Sequence, residues 1–495
     1  MSEEYEELEI EDALAASLRL AGAVKNAESY DELAAAIAQR YAGREDFDRA
    51  VEIADTINDP YTRDRTLAEV AVRAAAEGEE DAAFELLGSL EDLSHRATAT
   101  SNIAIAHAAS GEFDRAVELA GTMDDRSATL AEIAAQCLGK GEDARALELV
   151  ELLDFPVHAA WVLTRIAASH IEAGRVDEAT AILSQALEEA AAIDNADEKA
   201  TTLSEIALKF SEAGQEEQAA VILSQALKVA ENAEEVYKDA ALSQIAATHS
   251  RLKQYDRAVK VAEKIDDVYQ ATSTLISLAV IEHEDETRQA EASQLLSDAY
   301  ELIREDVPES QRDETQHINL LTLIAVRYAD FGQTEGARKA AESLGAQDDK
   351  LQALTAVAVR YAQAEKYDEA ISAARAIDEE SHKADALFKI SRVMLATDAK
   401  ERGGQILSEA LSMSEKLPRP ADRVHLLTEA AIAHAEAGQK EEAAPLIKRA
   451  LLDTKSINGE YQKASALLAI SDACAKAECE LDAEAQEILW DVSTV

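Results

Sequence analysis

A pair of residues, Ile, Val or Leu followed by Ala, returns along this chain every thirty to forty-six positions. A period of that length decides the architecture before any single residue is weighed. The pair opens at Ile37-Ala38 and comes back at Val70, Ile103, Ile133, Ile166, Ile206, Ile245, Leu278, Ile324, Val357, Ile390 (followed by Ser), Ala430 and Ile470. Taking its first residue as an anchor brings three further columns into line. A ring sits four residues on, at Tyr41, His107, His170, Phe210, His249, Tyr328, Tyr361 and His434. Glycine often stands eight residues on (Gly78, Gly111, Gly141, Gly174, Gly214, Gly332, Gly438), where it suits a left-handed stop between two helices. Alanine stands thirteen residues on (Ala50, Ala83, Ala116, Ala146, Ala179, Ala258, Ala337, Ala370, Ala443, Ala483), small enough for a second helix to approach the first. Each period is therefore one helical hairpin. The rest of the chain suits helices, since Gly and Pro together number 23 and aromatic residues make only 4% of 495.

These columns resemble the tetratricopeptide repeat, which places a large apolar residue, a small one, an aromatic and then an alanine at the same offsets. Phe47-Asp48-Arg49-Ala50, Phe113-Asp114-Arg115-Ala116, Tyr255-Asp256-Arg257-Ala258 and Tyr367-Asp368-Glu369-Ala370 are similar to its second-helix opening. The family's tryptophan is missing from most hairpins, and its closing proline survives only near Pro60, Pro156 and Pro418, so the likeness is to a divergent branch. It covers nearly the whole chain. The fold it implies is all-α: a right-handed α-solenoid, or superhelix, of about thirteen antiparallel hairpins.

Anchor spacings fall into a short class near 33 and a long class near 40. Seven extra residues are two helical turns, so a second helix can lengthen without rotating its buried face away from the core. The order of short and long hairpins repeats, because anchors 103, 133, 166, 206 and 245 map onto 324, 357, 390, 430 and 470 at offsets of 221 to 225. Glu212-Ala213-Gly214-Gln215 recurs as Glu436-Ala437-Gly438-Gln439, and five hairpins thus read as a duplicated block. The expected organisation is a capping helix in 1–29, a first block of hairpins in 30–270, an irregular repeat with an acidic insertion in 271–316, and a second block with a C-terminal cap in 317–495. The insertion holds Glu282-His283-Glu284-Asp285-Glu286 and Pro308, and a long loop or bend is expected there. Pro445 lies where a second helix should continue, and predicts a kink or a late start.

The formal charge is −50, yet 47% of residues are hydrophobic, which separates the chain from disordered acidic tails. Acids are spread along its whole length, and Arg (27) exceeds Lys (21), which favours a surface adapted to concentrated salt in a halophilic archaeon. Capture of a basic partner is the competing reading. Cys137, Cys474 and Cys479 cannot all pair and lack metal-ligand spacing, which favours a reducing, cytoplasmic setting. The acidic N-terminus is unlike a signal peptide, and no apolar run is long enough to span a bilayer.

No phosphate loop, nucleophile elbow, zinc signature or calcium loop is present, so no catalytic, metal or cofactor residue is assigned and a non-enzyme is expected. Histidines recur at fixed repeat positions, four of them in the ring column, as packing groups do and catalytic groups do not. Direct nucleic-acid binding is disfavoured by the overall field. A basic column nonetheless stands seven residues before the anchor: Arg63, Arg96, Arg126, Lys199, Lys238, Lys350, Lys383, Arg423 and Lys463. It is either a rim that grips an acidic chain or a set of local salt bridges with the turn acids Asp59, Asp92, Asp266, Asp348 and Asp378.

The resemblance implies ligands along the concave face of the first helices, five and two residues before the anchor and two, five and six after it. The position two before is mostly Ala, Ser or Thr, so the implied groove is small-sided and nearly neutral. The expected partner-binding residues are Trp161, Thr164, Asn319, Thr322, Gln352, Thr355, Asp385, Arg392 and His425, and the expected partner is an extended or helical protein segment. A tightly wound superhelix whose inner side chains merely touch one another is the competing reading. Two functions therefore stand open: a protein-interaction scaffold or adaptor, and an acidic regulator that captures a basic protein or masks a nucleic-acid-binding surface.

Overall fold

Helices form wherever the anchors lead, because a run of Ala, Leu, Glu and Ile loses little side-chain freedom in a helix and buries one stripe. The computed structural model describes residues 12–305, 313–417 and 419–494. Among them are 27 α-helices and no strand. One is the short helix Ala13–Ala21. The other 26 pair as thirteen antiparallel hairpins, from Ala27–Ala42 with Phe47–Ala54 to Glu460–Ala477 with Ala483–Ser493. The protein is thus the all-α hairpin solenoid its periodicity predicts.

Every anchor is buried, from Ile37 at 0% exposure to Ile470 at 0%, and so is the alanine thirteen residues on in nearly every hairpin. The last hairpin is the exception. Ala483 is exposed and the close-packing place passes to Ala485, because Cys479–Asp482 lengthen the turn before the helix. The glycine column adopts the predicted left-handed conformation, with φ between 73° and 91° at all seven positions. At the same place Glu45, Lys253, Glu365 and Glu478 also have positive φ, between 50° and 66°. In most hairpins the turn therefore takes this conformation whether or not glycine supplies it, while Glu286 and Asp398, at the same place in two others, do not adopt it.

Two features differ from expectation. Glu282–Glu286 do not make a long loop: Val268–His283 and Gln289–Glu305 form a hairpin like the others, and the acidic stretch ends its first helix and opens its turn. Glu282 is wholly buried and receives the Arg288 guanidinium at 2.9 Å, while Arg288 also lies over the Tyr255 ring at 4.8 Å. Pro308 lies outside the described residues. Pro445 causes no late start either; the helix Lys440–Thr454 begins on schedule and carries it on an exposed turn, where the lost N–H leaves one carbonyl to water. Gly403 takes the close-packing place in Lys400–Ser414, where a Cβ would come within 3.0 Å of the Leu395 backbone nitrogen.

A clamp between hairpins recurs six residues before several anchors. The Asp31 carboxylate accepts from the backbone N–H groups of Asn58 and Asp59 at 2.9 and 3.0 Å, and Asp64 from those of Glu91 and Asp92 at 2.7 Å each. Ser127 Oγ serves Asp154 at 2.9 Å, and Asp239 serves Asp267 at 2.8 Å. Each clamp satisfies the turn that starts the next hairpin, whose amide groups would otherwise lack partners.

The chain divides into two compact units: one is Thr100–Asp349, and the other unites Met1–Ala99 with Lys350–Val495. Within the second, helix Ala13–Ala21 rests on Glu460–Ala477 and Ala483–Ser493, and eight of its nine residues are buried. Ser17 Oγ donates to the Ala464 carbonyl at 2.9 Å. Around it Arg40 meets Asp472 at 2.6 Å and Tyr461 donates to Glu32 at 3.0 Å.

Candidate functional site

On a helix, residues separated by three or four positions share a face. Counting from the anchor, the positions five and one before, two or three after and six after form one stripe, while the position two before turns toward the neighbouring first helix. The structure separates most of the two sets accordingly, although Thr164 and Phe388, two before their anchors, line cavities on the open face. At the position two before, Thr164, Thr355, Ser204 and Thr428 are buried, and the Thr164 and Thr428 hydroxyls bond to carbonyls of their own helices. Ser101 meets Thr129 at 2.8 Å between adjacent first helices. Thr322 is half-buried. These small residues pack helix to helix; Thr355 is buried among them, and Thr164 also lines a first-helix cavity.

The other stripe is open, and it lines a cavity in each unit. In Thr100–Asp349, a cavity of about 570 Å³ runs across the first helices Ser127–Gly139, Pro156–Glu172, Ala196–Glu212 and Glu235–Arg251. Trp161 lies in its wall with the Arg165 guanidinium over the ring at 5.0 Å. Lys209 and Arg251 face it together with Glu172 and Glu205, so three cations stand against two carboxylates. Burial pushes the Glu205 carboxyl up, against the opposing pull of Arg251 and Lys209.

In the other unit, a cavity of about 400 Å³ brings together Asp385, Arg392 and His425 across the first helices Gln347–Gln363, Glu380–Leu395 and Pro420–Glu436. Arg392 is shared between Glu429 at 3.2 Å and Glu436 at 3.3 Å, and Asp385 holds Lys389 at 2.7 Å. Two cations here stand against three carboxylates, over an apolar floor that includes Phe388 and Leu426. Gln352 and Asn319 are exposed on the same stripe, each in a different unit, and line neither cavity.

The basic column is largely engaged in joining hairpins. Arg63 binds Asp64 of its own helix at 2.9 Å and reaches Glu91 of the next turn at 3.7 Å, Arg126 approaches Asp154 at 3.6 Å and Lys238 binds Asp266 at 2.9 Å. Arg96 donates to the Leu90 carbonyl and Lys199 to that of Ala191 at 2.7 Å, each closing the end of a preceding second helix. Arg423 does both, through Asp453 at 3.0 Å and the Leu417 carbonyl at 2.9 Å. Lys350, Lys383 and Lys463 are half-buried at the equivalent place. The histidines of the ring column bridge their own turns: His107 with Glu112 at 2.7 Å, His249 with Gln254 at 3.0 Å and His434 with Gln439 at 2.8 Å. Among the described residues no group of His, Cys, Asp and Glu could hold a metal ion, and no helix is long and apolar enough to cross a membrane.

Comparison with known proteins gives a short match and a diffuse likeness. Residues 158–232, two consecutive long hairpins, match the tetratricopeptide repeat. No curated protein matches the sequence. Among solved structures, the Ton1535 protein of Thermococcus onnurineus NA1 is 15% identical, with 67% of this chain and 98% of that one covered at a TM-score of 0.26. Yeast Tom70 is 12% identical, with 88% and 100% covered at 0.22. A circular tandem repeat protein is 14% identical, with 93% and 94% covered at 0.20.

Proposed function

Because the chain is a tetratricopeptide-like helical-repeat protein, we propose that it is a non-catalytic scaffold or adaptor that holds a protein segment along its first helices. The observation that carries this reading is the pair of open cavities on the first-helix faces. Each mixes an apolar or aromatic wall with charges that nearly cancel. Such a surface suits side chains of an extended or helical segment better than a single strong charge, which an excess of one sign would attract. A long-range field adds little to such recognition, so binding should survive molar salt.

The excess of acid and the three free cysteines support a cytoplasmic protein of a salt-loving organism. The same charge opposes direct contact with nucleic acid. It is also the one observation that favours the second reading, in which the acidic exterior captures a basic protein.

Pull-down from native extract in molar salt, followed by mass spectrometry, tests the scaffold. A protein retained by the unaltered chain should be lost from a Trp161→Ala, Arg392→Glu double variant that still folds by circular dichroism. Recovery of no protein, with the purified chain monomeric, overturns the reading; a partner held only at low salt transfers the function to charge capture.

A further inference from the structure

The alternation of long and short second helices leaves a cleft that the first-helix grooves do not explain. Helix Glu216–Glu231 has 16 residues and its successor Tyr255–Ala262 has 8, so the longer one overhangs. Between them lies a cavity of about 710 Å³ within Thr100–Asp349. Its floor is Leu223, Leu227 and Val261, with Val221 at its edge still 53% exposed. Its walls carry Lys228, Arg257, Lys260 and Lys264, and among the described residues no carboxylate lines it. In a chain with 98 acids to 48 bases, that is a local reversal of sign. Glu231 holds Lys264, and Arg257 donates to Gln254 at 3.1 Å, but Lys228 and Lys260 have no ion-pair partner among the described residues.

The duplicated block supplies an internal control. Buried Ala258, Val261, Ala262 and Ile265 correspond to buried Ala485, Ile488, Leu489 and Val492, which aligns the two short helices. On that register Arg257, Lys260 and Lys264 become Glu484, Glu487 and Asp491. On the long helix, 224 residues on, Ser224, Lys228 and Glu231 become Lys448, Leu452 and Lys455. The second block neutralises itself, with Lys448 on Glu484 at 2.5 Å and Lys455 on Asp491 at 2.9 Å. Packing therefore accepts either sign at these positions, and the first block differs in leaving positive charge without an internal carboxylate to meet it.

We infer that this cleft binds an acidic, amphipathic helix of a partner protein, whose apolar face covers Val221, Leu227 and Val261 and whose carboxylates reach Lys228, Lys260 and Arg257. An amphipathic helix in a groove needs an apolar floor and charges along the rim, and both are present. A long polyanion such as nucleic acid would gain the same three cations but meet the repulsion of the surrounding acidic surface. This site is separate from the first-helix cavities and does not depend on their role.

The test is fluorescence anisotropy of the full chain with a fluorescein-labelled synthetic helix that carries leucine on one face and glutamate on the other. Saturable binding is expected, and Lys228→Glu with Lys260→Glu should weaken it about tenfold or more, since both side chains would then repel the probe. Both lysines are exposed, so the fold should be retained; the neutral pair Lys228→Gln, Lys260→Gln should give an intermediate loss. Absence of saturable binding overturns the inference. So does an equal loss in Lys416→Glu, an exposed charge change in the other unit, or an equally tight single-stranded oligonucleotide that displaces the helix.

Discussion

Asp64 shows how much one residue of a repeat can carry when its column is not periodic enough to announce itself. Its carboxylate is 1% exposed, accepts two backbone N–H groups of the next turn and meets Arg63. Burial raises its affinity for a proton, but the bonds from Asp92, Arg63 and Glu91 together outweigh that and hold it below the ordinary aspartate range. Asp64→Ala should cost about 2 kcal/mol in denaturant unfolding, the loss expected when buried amide groups forfeit their acceptor. Because the folded chain lowers this pKa, the contribution is complete above the ordinary aspartate range and fades as pH falls through the depressed value, so the gap between Asp64→Ala and the parent should close in acid. The Glu282 and Arg288 pair behaves in the opposite sense. Burial, only partly offset by Arg288, raises Glu282, and Arg288→Ala should cost about 3–5 kcal/mol by leaving the acid buried and unpaired. Thermal unfolding of Arg288→Ala and of Arg288→Ala with Glu282→Leu measures this, and the double variant should recover much of the loss.

At the scale of helices, periodicity made the hairpins, their turns and their long and short classes legible before any coordinates. Anchors repeat thirteen times, and rings and close-packing alanines in most hairpins, and repetition is what a sequence displays best. The groove was only partly legible: in the column two before the anchor Ser204, Thr355 and Thr428 pack between helices while Thr164 and Phe388 line the cavities, and a hundred degrees per residue brings a further open stripe one position nearer the anchor. Glu205, Gln244 and Glu429 stand there unremarked, and Trp161, Asp385 and His425, four positions earlier, share their face. The clamps at Asp31, Asp64, Ser127 and Asp239 escaped notice because other hairpins put Ala, Leu, Ile, Val or Thr at the same place. The left-handed turn position is the reverse case, since geometry fixed it where residue type did not. Lys253 and Glu365 hold φ of 58° and 59° there, at a cost of about 1 kcal/mol each that glycine avoids. Lys253→Gly and Glu365→Gly should each raise stability by about 0.5–1 kcal/mol, read from the midpoint of urea unfolding; a loss would mean that the side chain, not the turn, matters.

In a molecule built from nearest-neighbour contacts, stability is close to a sum over interfaces, and a defect is felt mainly by the hairpins beside it. Helix Ala13–Ala21 makes neighbours of residues more than four hundred positions apart. Leu14→Ala or Leu20→Ala, each at a site with 0% exposure, should cost about 2–5 kcal/mol. Hydrogen exchange should register the loss of protection in Glu460–Ala477 as well as in the altered helix. Loss confined to residues near the substitution would show that this contact carries no stability. The bond from Ser17 to Ala464 also sets an order of events in time. A ribosome makes this helix well before the hairpin of Glu460–Ala477 and Ala483–Ser493, whose surface helps bury Leu14, Leu18 and Leu20. Contacts of such sequence separation form late. The helix must therefore spend synthesis uncovered, and it should be among the last segments to gain exchange protection as the chain leaves the ribosome or refolds from denaturant.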